Sequence, residues 1–228
     1  MHRAQQHAET RTRERRRRLA VEAARLMAES GLRDFAQAKR KAAERLGIHE
    51  DASLPRNREI QDALLEHQRL FQGDSQPQAL TARREAARQA MRLLQAFEPR
   101  LVGPVLEGSA DDHSAVNLHV FSDDPQAIDW HLSEHGIPFD SGSRRYRSGP
   151  DSEWEAPLVS FTADGIRFEL SLFPLDGLRQ APLDRIDGRP MKRATMAQLV
   201  ALLEASTDAM EDTGSPDQPV PDSPFADH

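Results

Sequence analysis

The sequence predicts an α+β fold, in which a small mixed sheet with flanking helices is preceded by an N-terminal helical bundle. Three observations support this prediction. Apolar residues recur at helical spacing as far as about residue 97. Polar and apolar side chains alternate at 116–121 and 166–173, which is typical of half-buried strands. Asp164-Gly165 lies between two apolar runs, and this dipeptide favours a tight β-hairpin.

Residues 1–75 are expected to form a basic bundle of amphipathic helices. The first helix should run from Thr12 to near Gly31, and the second from Arg33 to Leu46, each ending at a glycine. Asn57 is expected to cap the third helix, because an asparagine side chain accepts hydrogen bonds from free backbone N–H groups.

Residues 78–205 are expected to form the α+β domain. A helix that begins at Thr81 and is stopped by Pro99 leads into a buried strand at Leu101–Leu106. The other expected elements are a strand at 116–121, a helix at 123–136, a strand or loop at 144–147, a polar break at 150–157, a hairpin of 158–162 with 166–173, and a helix at 193–205.

Charge is distributed unevenly along this chain, whose net charge is −7. Residues 1–100 contain 21 Lys and Arg against 14 Asp and Glu, whereas residues 101–207 contain 9 against 17. An alternative function is therefore that of a scaffolding protein, or of one that binds RNA or DNA, acting through the basic N-terminal helices, although a solvated arginine-rich helix has the same composition. Residues 206–228 are acidic, rich in proline and without an apolar stripe, so we expect a disordered tail.

Several functional classes are excluded by composition and motifs. The absence of cysteine excludes disulfides and thiolate chemistry. No apolar run approaches the roughly 20 residues that span a bilayer, and no apolar segment follows the N-terminal arginines as in a secretory signal. We therefore expect a cytoplasmic protein that does not bind membranes. The P-loop, HExxH and GxSxG patterns are absent as well.

Polar residues that could carry chemistry gather around the second predicted strand. Gly108 and Ser109 turn the chain before it, and Asn117 and His119 are two residues apart, so both lie on one face of that strand. Glu169 lies on the polar face of the hairpin strand. Two basic groups could contact a phosphate: the loop that contains Arg179 and Arg189, and, with less support, the arginines at 144, 145 and 147.

The order helix, strand, Gly-Ser, strand with polar residues two apart, helix, hairpin, helix resembles the nucleotidyltransferase (polymerase β-like) superfamily over about residues 80–205. In that family, Gly-Ser holds nucleotide phosphates and three carboxylates bind two magnesium ions. Gly108 and Ser109 match the family pattern. Asn117 and His119 stand where the family has aspartates, and Glu169 stands where it has the third carboxylate.

The resemblance implies a degenerate nucleotidyltransferase-like protein that binds a nucleotide or a nucleic-acid phosphate. Gly108 and Ser109 would hold the phosphate, and Arg179 with Arg189 would clamp its charge. Three alternatives stay open for the polar face. It could be the pocket of a pseudoenzyme. It could also be the site of a divergent enzyme in which His119 and Glu169 are catalytic. If a divalent metal binds there, Asn117, His119 and Glu169 would be its ligands. It could also be a set of hydrogen-bonded residues without a ligand.

Overall fold

The structure, a computed structural model, describes residues 2–32, 34–48, 53–71, 75–149 and 152–212. The helices are α1 (His2–Ser30), α2 (Phe35–Leu46), α3 (Asn57–Phe71), α4 (Ser75–Leu93), α5 (Pro104–Glu107), α6 (Ala127–Glu134) and α7 (Met196–Asp212). The strands are β1 (Arg100–Val102), β2 (Val116–Phe121), β3 (Asp140–Arg147), β4 (Glu153–Ala163) and β5 (Ile166–Phe173). The predicted mixture of helices and strands is confirmed.

Helices α1, α2 and α3 pack into a bundle through their apolar stripes. Its buried core includes Leu19, Ala23, Met27, Ala38, Ala42, Ile60 and Leu64. The carboxylate of Asp34 accepts hydrogen bonds from the N–H groups of Ala36 and Gln37, and Gly47 ends α2 in the left-handed conformation, as its position predicts. Helix α1 begins at His2, well before the expected start at Thr12.

The expectation that Asn57 caps α3 is wrong. Asn57 is already helical, and its side-chain amide donates to the carbonyl oxygen of Arg185 at 2.5 Å. The Glu59 carboxylate instead accepts from the N–H of Arg56, at 2.7 Å. A glutamate three residues after the cap satisfies a free backbone donor as an asparagine cap would. The Asn57 side chain is thereby free to tie the bundle to the distant loop around Arg185.

The strand expected at Leu101–Leu106 ends earlier in the structure, where β1 covers only Arg100–Val102. The chain leaves β1 at Gly103, where φ is +70°, and Pro104 begins the short helix α5. Proline suits this position because it fixes φ near the helical value and lacks only an N–H that would be unpaired there. Gly108 ends α5 with φ of +85°, so Ser109 follows a helix rather than a strand.

The five strands form one mixed sheet in the order β1-β2-β5-β4-β3. Strands β2 and β5 are parallel, and every other neighbouring pair is antiparallel. The β2–β5 register places Asn117 opposite Glu169 and His119 opposite Ser171. Strand β3 is longer than the expected segment at 144–147, and β4 begins within the expected polar break at 150–157.

The two faces of the sheet differ in character, as the alternation predicts. One face packs against α4, α6 and α7 in a core that includes Leu118, Val120, Phe168, Leu170, Met91, Ile128 and Leu199. The other carries Asn117, His119 and Glu169 and faces the helical bundle. The predicted β4–β5 hairpin is confirmed: Asp164 and Gly165 both have positive φ, 50° and 75°, as a type I′ turn requires.

Two helix boundaries also differ from expectation. Helix α4 begins at Ser75 rather than Thr81. Helix α7 continues to Asp212, so its last turns overlap the tail that was expected to be disordered from 206, and residues 213–228 lie outside the described residues. None of the described helices combines the length and the hydropathy that crossing a bilayer requires.

Candidate functional site

A cavity of about 530 Å³ lies between the helical bundle and the polar face of the sheet. Helices α1, α2 and α3 contribute one wall, which includes Phe35 and Leu64. Strands β2, β3 and β5 contribute the other, which includes Asn117, Arg144 and Glu169. Its volume is that of an ordinary small-molecule site, so we take it as the candidate functional site.

Arg144 joins the two polar residues at the centre of the sheet wall. Its Nη1 donates to Oδ1 of Asn117 at 2.9 Å, and its Nη2 donates to the Glu169 carboxylate. Burial lowers the pKa of Arg144, but the charge and hydrogen-bond interactions with Glu169 and Tyr146 together outweigh burial, so the pKa is raised. A permanently charged guanidinium is therefore fixed between Asn117 and Glu169.

The residues present do not fit the two magnesium ions of the family. The side chain of Arg144 already supplies a cation between Asn117 and Glu169, and a guanidinium repels a metal ion. The described residues also contain no group of three or more His, Asp or Glu side chains that could hold a metal. The polar face is therefore better suited to an anion than to a pair of divalent cations.

Arginines dominate the charge of the cavity. Arg145, Arg147, Arg167 and Arg185 line it together with Arg144, whereas the acidic lining residues are Glu107, Glu169 and Asp184. Burial raises the pKa of Glu107, and the neighbouring Asp184 raises it further. The lining is therefore cationic, with Arg144 and Arg167 paired with Glu169, and with Arg145 and Arg147 paired with Glu153 outside the lining.

Ser109 lines the cavity, but its polar groups already have partners. Its N–H donates to the carbonyl oxygen of Pro104, and its own carbonyl accepts from the Gln68 side chain. Its hydroxyl oxygen accepts from Nε2 of Gln61 at 3.0 Å, and only 3% of Ser109 is exposed. The predicted phosphate-holding residue therefore contacts the helical bundle.

The segment from Gly108 to Ser114, which leads into β2, is held in shape by two side chains of α4. Gln76 Nε2 donates to the carbonyl oxygens of Gly108 and Ala110. Arg83, which is 6% exposed, donates to the carbonyl oxygens of Ser114 and Asp112. These bonds fix the entry to β2 and so the position of Asn117.

His119 lies behind the cavity rather than in it. It is fully buried, and its Nδ1 accepts a hydrogen bond from Nε of Arg193 at 3.0 Å. Its proton must therefore be on Nε2, which donates to the Tyr146 hydroxyl at 3.2 Å, and that hydroxyl donates to Ser171. Burial, with the positive charges of Arg193 and Arg144, lowers the pKa of His119 to about 3.

Arg193 is a cation held almost entirely by uncharged groups. Its guanidinium lies 5.1 and 5.2 Å from the ring centres of Phe121 and Phe173, and Nη1 donates to the carbonyl oxygen of Gly177. Its Nη2 is buried without a hydrogen-bond partner among the described residues. Burial lowers the pKa of Arg193 to about 10.

The structure brings together only part of the predicted site. Ser109, Asn117 and Glu169 line one cavity, whereas His119 is enclosed behind them. Arg179 and Arg189 are exposed and do not line the cavity. The arginines of β3 at 144, 145 and 147, which had less support from the sequence, do line the cavity. Their signal was the alternation of Arg144 and Tyr146 along a strand, which places both on the polar face.

Sequence reasoning missed the contribution of the helical bundle. Gln61 and Leu64 on α3 and Phe35 on α2 line the cavity, although each matches an ordinary amphipathic helix. The one available signal of this contribution was Gln61. It is 8% exposed, and a buried amide group needs a hydrogen-bond partner.

The chain was compared with family models and with curated proteins. No family model matches the sequence, and no curated protein is significantly similar to it. The geometry of the cavity is therefore the basis for assigning a function.

Proposed function

We propose that this chain is a degenerate nucleotidyltransferase-like protein that binds the phosphate of a nucleotide in the cavity through arginines and without a metal. The observation that carries this proposal is the position of Arg144. Its guanidinium lies between Asn117 and Glu169, where the family resemblance puts metal ligands, and it faces a cavity lined by further arginines. An arginine can supply the positive charge that a metal ion gives elsewhere, and the two ends of the guanidinium fork, Nη1 and Nη2, which bond Asn117 and Glu169, each carry a second N–H that can donate to a phosphate oxygen.

The sheet topology supports the same proposal. The resemblance requires two polar positions on a strand beside a third on a neighbouring strand, and the β2–β5 register places Asn117 directly opposite Glu169. Asn117 and Glu169 thus match two of the three positions in the resemblance, whereas His119, the other position on β2, is enclosed behind the cavity. Binding without nucleotidyl transfer is the function that this combination favours.

The surroundings of His119 favour binding rather than acid–base catalysis. A general base needs a free lone pair within reach of the substrate, but the lone pair of His119 accepts from Arg193 and the ring is buried. Glu169 is likewise occupied, because Arg144 and Arg167 both donate to it.

A thermal-shift series tests the proposal. Pyrophosphate and nucleoside diphosphates should raise the melting temperature equally with magnesium and with a chelator, since ligands that bind the native state stabilise it. Arg144→Lys should remove most of this shift, because a lysine keeps the charge but loses the fork. Arg179→Lys, an exposed position outside the cavity, is the matched control and should leave the shift unchanged. A shift that requires magnesium, or none at all, would refute the proposal.

A second candidate function is nucleic-acid binding through α1. Arg11, Arg13, Arg17 and Arg18 are exposed on this helix. If they contact phosphates, fluorescence anisotropy should show that the full chain binds RNA or DNA with a strong salt dependence. Replacing all four by glutamine should lower the slope of log K against log salt by about three to four. Tight binding by the wild-type chain with an unchanged slope in this variant would exclude this function for α1.

A further inference from the structure

Helix α3 is attached to the sheet side of the cavity by polar contacts. Nε2 of Gln61 donates to the Ser109 hydroxyl at 3.0 Å, and the Asn57 amide donates to the carbonyl oxygen of Arg185 at 2.5 Å. Gln61 is buried, and Arg185 is itself a lining residue. Two side chains of α3 therefore connect the bundle to segments that border the polar face.

Three of the four described bundle residues that line the cavity are apolar, and the fourth is Gln61. Met27 of α1, Phe35 of α2 and Leu64 of α3 line the cavity, one from each helix. Phe35 is only half-buried, so part of its ring is available to a ligand. Across the cavity, the sheet presents Arg144 and the other lining arginines. The site thus has one apolar side and one cationic side.

We propose that the N-terminal bundle forms half of the ligand site and selects phosphate esters that carry an apolar or aromatic group, such as a nucleoside diphosphate. This inference rests on the proposed function, which by itself requires only the arginines. Inorganic phosphate or pyrophosphate alone would leave the ring of Phe35 against water, and an uncharged apolar compound would make no use of the guanidinium groups on the other side of the cavity.

The volume of the cavity favours a single nucleotide over a polymer. About 530 Å³ falls within the range of about 300–1,000 Å³ that encloses small ligands. Phe35 would then act as a specificity-determining residue, because its ring contacts the base and not the phosphates. It lies outside the segment that resembles nucleotidyltransferases, so the family pattern does not include it.

Titration calorimetry of the full chain tests this inference with pyrophosphate, ADP, UDP and adenosine. We expect at least one of the two nucleotides to bind about tenfold more tightly than pyrophosphate, since a contact worth about 1.4 kcal/mol changes affinity tenfold. Phe35→Ala should remove this advantage and leave the affinity for pyrophosphate within about twofold. Phe71→Ala is the matched control, because Phe71 is 73% exposed and does not line the cavity.

The outcomes separate this inference from the proposed function. If pyrophosphate binds as tightly as both nucleotides, or if Phe35→Ala weakens every ligand equally, the inference is wrong and the arginine site stands. If none of the ligands binds to the wild-type chain, both fail. The affinity for pyrophosphate also reports whether each variant is folded, and Phe35→Leu replaces Phe35→Ala if the latter does not fold.

Discussion

Nε of Arg193 donates a hydrogen bond to Nδ1 of His119, and this bond fixes the imidazole as neutral, with its proton on Nε2. The bond orders a chain of donors that continues through the Tyr146 hydroxyl to Ser171. It also gives the half-buried cation of Arg193 a hydrogen-bond partner that carries no negative charge. The stability of the polar face therefore depends on an uncharged histidine at this position.

The first prediction concerns the acceptor that His119 provides. His119→Phe should lower the free energy of unfolding by about 2 kcal/mol, because Nε of the half-buried Arg193 would lose its partner. His119→Gln, whose side-chain oxygen can accept the same bond, should cost less than half as much. Urea denaturation of the two variants measures this difference. Equal losses in both would show that packing rather than the hydrogen bond stabilises this region.

The second prediction concerns the loss of folding stability at low pH. The pKa of His119 is about 3 in the folded chain and 6.5 as its ordinary value, so the unfolded chain binds an additional proton between these values. The contribution of His119 to stability is complete above pH 6.5 and is lost progressively as the pH falls toward 3. Lowering the pH from 7 to 5 should cost the wild-type chain about 2 kcal/mol more than His119→Gln, by urea denaturation at both pH values. Parallel losses would contradict the prediction.

The third prediction concerns competition for Arg144. Glu169→Gln should strengthen pyrophosphate binding about tenfold, because the carboxylate that now binds Arg144 repels an incoming anion. Glu155→Gln is the control, since Glu155 is 56% exposed and pairs with Arg145 at 3.6 Å, where solvent screens the charge. Calorimetry would contradict this role for Glu169 if Glu169→Gln bound pyrophosphate more weakly than the wild-type chain.

The fourth prediction concerns the hairpin between β4 and β5. Gly165→Ala should lower the free energy of unfolding by about 1 kcal/mol, because φ of +75° is costly for any residue with a Cβ. Gly142→Ala should change it little, since Gly142 has no positive φ. An added Cβ meets no atom within 4 Å at either position, so the comparison isolates backbone conformation. Similar thermal unfolding of the two variants would contradict this explanation.

Local patterns account for the parts of the fold that were predicted. The alternation in β2 and β5 determines which side chains face the core, because successive residues of a strand point to opposite faces. Asp164-Gly165 supplies the two positive φ values that the turn needs. Both signals lie within a few residues, so no tertiary information is required.

At two other places a local signal was present in the sequence, but another interaction or signal outweighed it. The apolar run at Leu101–Leu106 matches a buried strand, yet Gly103-Pro104 within it combines a residue suited to positive φ with one suited to the first turn of a helix. Asn57 shows that a distant contact can override a local preference. Its preference for helix caps is real, but the carbonyl group of Arg185, 128 positions away, gives its side chain a different partner.

The site was harder to predict because its parts come from distant segments. Ser109, Asn117 and Glu169 were expected together and do line one cavity. The position of Arg144 depends on the pairing of β3 with β4, and the contribution of Phe35 depends on the packing of the bundle over the sheet. Neither relationship leaves a periodic pattern in the sequence.

The bonds that Gln76 and Arg83 make to the segment before β2 have an evolutionary consequence. The hydrogen bonds described above end on main-chain carbonyls, which any amino acid supplies, and Arg83 adds an ion pair with the Asp112 carboxylate at 3.8 Å. Positions such as Ala110 can therefore drift among small residues without moving the strand that follows. The two donors on α4 have no such freedom, so homologous chains that keep this cavity should retain a long amide and a guanidinium there.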